Sequence, residues 1–341
     1  MSDANVAGTS RVLENMKPVL RGVRFLEVYL CDMAGTETNL LKKIDKACPE
    51  LVSFQWDALF YGSSLGGGGA LGLFKGLTRL DVTLPIDVVP EAILTCGDTV
   101  VEIKVCAVID HETFSFQEEE DEHLDEDDDP EASRCVLASL RTLQVAVEIR
   151  NGCKCRDQGT ALAKILEKIS TPNLREVDIG LDGRVKPRCG CAAIALMRLL
   201  LRMDKRESLE SLRLRRMPLN DDDGELLEML RAVPRLRELV VEEMEGFRIV
   251  SERLLAGMKG LTVVPNLRRL DLLVLHDWRK SVFEDMIRSR EKLKEIKLRI
   301  GSKAERLDVN KLKRMELEVM KVVHDIGSRA AGRGQLLIGL L

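Results

Sequence analysis

Four cysteines stand in two tight pairs, Cys153-x-Cys155 and Cys189-x-Cys191. Cysteine thiolates are soft ligands that suit tetrahedral zinc. Each pair follows a recurring apolar phrase, the first starting 13 residues after Leu140 and the second 15 after Leu174. Stacking the two units would bring the four sulfurs together, so Cys153, Cys155, Cys189 and Cys191 form a candidate zinc set. Structural zinc pairs usually hold two or more residues between their cysteines. Four ordinary cysteines in neighbouring connections is therefore the competing reading. Other chemistry is thin. His111, His123, His276 and His324 are scattered and share no nucleophile or metal-ligand spacing, so no catalytic role is expected. Gly66-Gly67-Gly68-Gly69 lacks the Gly-Lys-Ser/Thr that completes a phosphate loop and reads as a connection.

The elements that must position these residues repeat. An apolar residue, two variable ones, an apolar, one variable and an apolar recur from Val23, Leu51, Leu77, Val100, Leu140, Leu174, Leu209, Leu236, Leu267 and Leu293. Start-to-start spacings are 28, 26, 23, 40, 34, 35, 27, 31 and 26 residues. Ten ordered copies at such spacings are hard to obtain by chance. The second half of each phrase alternates apolar and polar, as a strand with one buried face does. Helical patterns fall between phrases. They cover Ala161–Ile169 with Thr160 as cap and Pro172 as stop, Ala192–Met203, and Glu225–Arg231 with Asp223 as cap. Ser251 opens Glu252–Met258, and Ser281 opens Val282–Ser289. The expected fold is an α/β solenoid with a curved parallel sheet inside and helices outside, in about ten irregular repeats. Residues 1–22 read as a tail with a capping helix from residue 11, residues 23–310 as the solenoid, and residues 311–341 as a closing helix (Lys311–Ile326) and tail.

Composition agrees. Of 341 residues, 45% are hydrophobic and only 4% aromatic, so aliphatic side chains must fill the core. The formal charge of −4 hides a block: residues 118–131 contain eleven acids, and without them the chain carries +7. This segment, read as a disordered insertion at 117–132, also explains the 40-residue spacing, which falls to 26 when its 14 residues are removed. No apolar run approaches the roughly 18–20 residues that span a bilayer, so no membrane partner is expected. Nine cysteines, an odd number, and no signal-peptide pattern point to a reducing compartment, the cytosol or nucleus.

The variable phrase positions should line the open sheet face. Ten strands at about 4.8 Å would make it roughly 45 Å wide, enough for a protein. The expected partner-binding residues are Asp178, Arg213, Arg215, Glu242, Arg269, Asp271, Lys297 and Arg299, with side-by-side charges such as Asp178 and Arg213, or Arg215 and Glu242, as the blander alternative.

Phrases such as Leu174-Arg-Glu-Val-Asp-Ile179 and Leu267-Arg-Arg-Leu-Asp-Leu272, preceded by Pro172-Asn173 and Pro265-Asn266, resemble leucine-rich-repeat proteins. Their irregular spacing over residues 23–300 is most similar to the repeat region of fungal F-box-type proteins. That resemblance implies a substrate receptor of a ubiquitin ligase, with a ligase adaptor as partner. No F-box-like opening is read in residues 1–22. The Asn or Cys that regular horseshoes carry three residues after the phrase is matched only by Cys31, so their polar ladder is expected to be absent. A protein-interaction scaffold is the leading expectation. The alternative is a basic nucleic-acid-binding scaffold, with basic residues near Arg198, Arg202, Lys205, Arg206, Arg213, Arg215 and Arg216 and an acidic shielding loop. Few aromatics for base stacking, and acids competing for cations, weigh against it.

Overall fold

The structure, a computed structural model, describes residues 20–34, 40–61, 76–86, 89–94, 96, 98–109, 135–149, 158–181, 191–203, 208–219, 224–259, 262–275, 280–290, 292–300 and 336–338. Its strands are β1 (Phe25–Ala34), β2 (Ser53–Tyr61), β3 (Arg79–Pro85), β4 (Glu102–Ile109), β5 (Cys135–Val136), β6 (Thr142–Ile149), β7 (Ile169–Ser170), β8 (Glu176–Gly180), β9 (Ser211–Arg215), β10 (Glu238–Glu242), β11 (Arg269–Val274), β12 (Glu295–Ile300) and β13 (Leu336–Ile338). Its helices are α1 (Leu40–Ala47), α2 (Val89–Leu94), α3 (Gln158–Glu167), α4 (Cys191–Leu201), α5 (Glu225–Ala232), α6 (Glu252–Gly257) and α7 (Lys280–Arg288).

The protein is α/β. One eleven-stranded sheet runs β1-β2-β3-β4-β6-β8-β9-β10-β11-β12-β13, while β5 and β7 pair by themselves. Neighbouring strands in the large sheet are parallel, so each connection must cross back, and helices occupy most of these crossings. Successive helices from α2 to α7 touch their neighbours.

Strand register explains why the phrase takes its form. Its fourth residues pair across the sheet as Leu26, Phe54, Leu80, Ile103, Leu143, Val177, Leu212, Leu239, Leu270 and Ile296, ending on Leu336. Those from Phe54 to Ile296 are buried. Burial of each such side chain stabilises by about 1.5–3 kcal/mol relative to exposure. Odd positions three, five and seven take the opposite face. A one-residue slip would exchange the two sets, which is why the alternation fixes the register.

A main-chain device recurs at all nine junctions between successive phrases. The carbonyl of the second phrase residue accepts two N–H groups from the next phrase, from Val52 and Ser53 onto Arg24 through to Lys294 and Glu295 onto Arg268. A side-chain ladder accompanies it. Thr99 Oγ1 donates to Leu77 O (2.9 Å), Asn173 Nδ2 to Ala138 O (2.8 Å), Ser208 Oγ to Leu174 O (2.7 Å) and Asn266 Nδ2 to Pro234 O (3.3 Å). Each donor immediately precedes the first apolar residue of its phrase. A polar ladder is therefore present, at the entry to the strand rather than beyond its end.

Some expected elements differ in detail. Helix α3 begins at Gln158, which puts Thr160 inside it rather than at its cap. Ser281 likewise lies within α7. The α5 cap is Gly224, at φ 73°, with no side-chain hydrogen bond; Asp223 lies outside the described residues. Ser251 does cap α6, its side chain accepting from Leu254 N at 3.1 Å. Leu336–Ile338 is a strand and not a plain tail, because a parallel edge strand can be a few apolar residues long with no period to betray it. The expected helix at 11–20 apart from its last residue, the buried and helical Leu20, the expected helix at 311–326, the acidic insertion and Gly66–Gly69 lie outside the described residues. No described helix is long and apolar enough to cross a membrane.

Candidate partner-binding surface

Arg213, Arg215, Arg269 and Lys297 of the expected open-face residues are each engaged with a neighbouring carboxylate. Arg215 donates from Nε to Asp178 Oδ1 (2.9 Å), with Nη2 at 2.8 Å. Arg213 Nη2 bonds Glu238 Oε1 (2.9 Å). Arg269 lies between Glu238 (3.7 Å) and Glu295 (3.4 Å). Lys297 Nζ is 3.7 Å from Asp271 Oδ2. Asp178 stands opposite Arg213, and Arg215 opposite Glu242, as the phrase register predicts. The Asp178 ion pair nevertheless runs diagonally, to Arg215. Gly180 explains this. It is the register partner of Arg215 and has no side chain, so the guanidinium stem folds over it, with Nε only 3.6 Å from where a Cβ would stand.

Asp271 is a correction. Expected on an open surface, it is 5% exposed, beside a similarly covered Val240 in register on β10. Its reach is short, and the longer Lys297 side chain extends to it. Glu242 ends β10 between Arg215 and Leu273, and Arg299 pairs with Leu273 along the backbone. Exposed pairs of this kind contribute about 0–1 kcal/mol each. Their effect is to leave most of the face electrically satisfied.

One region differs. The seventh phrase positions on four adjacent strands read Cys106, Ala146, Gly180 and Arg215, in register. Small side chains on β6 and β8 leave a cavity of about 450 Å³, bordered by Glu148, Leu181, Arg215, Arg216 and Glu242. Cys106 Sγ approaches Glu148 Oε2 at 3.7 Å beside it. Arg216 takes a left-handed φ of 57°, held by its N–H donating to Glu242 O at 2.7 Å. For a non-glycine residue that conformation costs about 1–2 kcal/mol, and such strain concentrates at ligand sites. The depression thus offers a floor without bulk and a rim carrying both charge signs. The phrase places Ala146 and Gly180 on the open face, but a search for charged residues passes over them. The signal is two consecutive small residues in one register column. A second hollow of about 550 Å³ lies across β1 to β4 beside Phe25, which is 72% exposed.

Of the candidate metal set, only Cys191 lies among the described residues. Cys191 is disulfide-bonded, and a disulfide sulfur is not a thiolate ligand. Cys153, Cys155 and Cys189 lie outside the described residues, as do all four histidines. Among the described residues no group of three or more metal-ligating side chains occurs. Cys48, Cys96, Cys106 and Cys135 are free thiols.

A different surface runs along the rim where the strands begin. Arg141, Arg175, Arg237, Arg268 and Lys294 occupy the second phrase position of successive strands, interrupted only by Glu210, and all five are exposed. Compared with known proteins, the chain matches no family model and no curated protein.

Proposed function

We propose that this chain is a leucine-rich-repeat solenoid that holds a partner protein on its open sheet face and catalyses no reaction. Residues 23–310 would form the repeat array, closed by residues 1–22 at one end and 311–341 at the other. The observation that carries this reading is the depression over Ala146 and Gly180. Because the surrounding charges are already paired, a partner would gain affinity there mainly by filling shape, with Arg216 and Glu242 orienting it. Such buried anchor pockets dominate interface energetics. The resemblance of the phrases to F-box-type proteins makes ubiquitin-ligase substrate receptor the most specific form of the proposal.

Affinity purification from cells, quantified by mass spectrometry, tests it. Ala146→Arg should fill the depression and release the partner, while Ile194→Glu, on the exposed flank of α4, should retain it. Equal retention by both variants would contradict the site. Recovery of a ligase adaptor with the wild type supports the receptor form, and its reproducible absence removes that form.

The basic rim favours a second reading, a nucleic-acid-binding scaffold shielded by its acidic segment. Binding to single-stranded or duplex nucleic acid that weakens steeply with salt supports it. Binding absent at low salt rejects it.

A further inference from the structure

We infer that the basic rim of the sheet is the docking surface for the chain's own acidic segment, Glu118–Glu131. This goes beyond partner capture on the open face and does not depend on it.

The rim is a column by construction. Arg175 N donates to Arg141 O (2.8 Å), Arg268 N to Arg237 O (2.7 Å) and Lys294 N to Arg268 O (2.8 Å). These side chains therefore stand on neighbouring strands about 4.8 Å apart, where like charges repel. Arg237 has a partner in Glu210, at 3.1 Å. Among the described residues, Arg141, Arg175, Arg268 and Lys294 have no ion pair. On the open face a few ångströms away Arg213, Arg215, Arg269 and Lys297 are matched with carboxylates, whereas these four rim cations are open to an anion from elsewhere.

Position along the chain selects the anion. Before the insertion the same column holds a single cation, Arg24, followed by uncharged Val52, Thr78 and Val101. From Arg141, the first second-position residue after the acidic segment, it is basic on every strand of the large sheet through β12 except β9, which carries Glu210. The segment's far end is tied down close by. Cys135 opens β5, bonded to Lys168 O at 2.9 Å, and Asn173, two residues before Arg175, bonds Ala138 O. Glu131 is four residues from Cys135, within about 14 Å of it at full extension. The rim from Arg141 to Lys294 crosses five strand spacings, about 24 Å. Fourteen residues can extend to about 45 Å, so the acids have length to spare. Tethering supplies a high effective concentration that an external polyanion must overcome.

Zero-length carbodiimide coupling of the full chain, followed by peptide mapping, tests this. Lys294 should couple to carboxylates of residues 118–131, and Arg141→Lys and Arg268→Lys should each add a second coupled site. A mixture of isotope-labelled and unlabelled chains should give couplings within one chain only. Coupling should vanish near 1 M salt. Heparin is the competing probe. Changing the eleven acids of this segment to their amides should raise the salt needed for elution from heparin, and adding Arg141→Glu with Arg268→Glu should cancel that rise. No coupling at Lys294 or at either introduced lysine, or an amide variant eluting with the wild type, would overturn the inference. Coupling only between chains would also overturn it.

Discussion

Arg290 is a buried cation with no carboxylate beside it among the described residues. It is 5% exposed, and its guanidinium donates to the carbonyls of Val264 (2.7 Å) and Val263 (2.6 Å) and, from Nε, to Met258 (2.8 Å). Burial lowers its pKa from the usual value. These carbonyls belong to the connection after α6; Val264 O also accepts from Leu267 N at 3.1 Å, so the side chain serves chiefly the acceptors of Met258 and Val263. Arg290→Met should destabilise by about 3 kcal/mol, read as a shifted urea midpoint, because each orphaned acceptor costs about 1–3 kcal/mol. Arg290→Lys should restore only part, since an ammonium cannot span three carbonyls in one plane. Glu243 is the acidic counterpart, accepting from Ile249 N (3.0 Å), Val250 N (2.8 Å) and Leu275 N (2.7 Å). Cys96 supplies a pH test. Burial pushes its thiol up to about 12, helped by the charge of Cys135. A raised thiol pKa adds stability that is complete below the unfolded value of 9.0 and is lost as pH rises toward 12. Between about pH 8 and 10.5 the wild type should lose more stability than Cys96→Ala, and native Cys96 should resist alkylation at pH 8. Equal losses in both proteins would contradict this. None of these roles was legible from residue type, because each depends on which backbone groups and side chains the fold brings beside the residue.

At the scale of elements, the phrase was readable because strand alternation and register depend on the same apolar residues. Helix bodies were readable as well, since their apolar spacing reflects the face turned inward. Helix starts were not. Thr160 and Ser281 are good caps by type, but helices α3 and α7 start before them and leave both residues inside the first turns. The short pair β5 and β7 carries too few residues to show a period, whereas α1 and α2 are as long as α5 and α6 and were passed over for want of a capping residue read before them. The entry ladder was visible only as Pro-Asn dipeptides, with no reason given by sequence for their bonds. Asn173→Ala should cost about 1 kcal/mol in a denaturation series. A neutral result would mean that water replaces the bond to Ala138. Gly180 links element to site. A Cβ there would make ordinary contact with Arg215, so Gly180→Ala should keep the fold and the ion pair. Gly180→Leu should displace the guanidinium from Asp178 and fill the depression. A crystal structure of Gly180→Leu with the Arg215–Asp178 distance unchanged at 2.8 Å would contradict this account of the diagonal pair.

Across the whole molecule, one backbone bond pattern and one apolar column pass through successive strands, so neighbours depend on neighbours. Unfolding of such an array can lose its all-or-none character, and midpoints should be compared between variants rather than read as a single stability. The surface divides along the same geometry. The open face has paired charges around a small-residue depression, and four of the five cations on the starting rim have no ion pair among the described residues. Charge totals in the sequence showed the basic excess but not its place, because the second phrase position looks like any other variable site until the strands are stacked. The proposal that the open face receives a protein is tested most directly by a photo-cross-linking amino acid placed at position 146 or at position 194 in living cells. A discrete adduct with one protein from position 146, absent from position 194, is the predicted result. The same adducts from both positions, or none from 146 while the chain is folded and expressed, would contradict it.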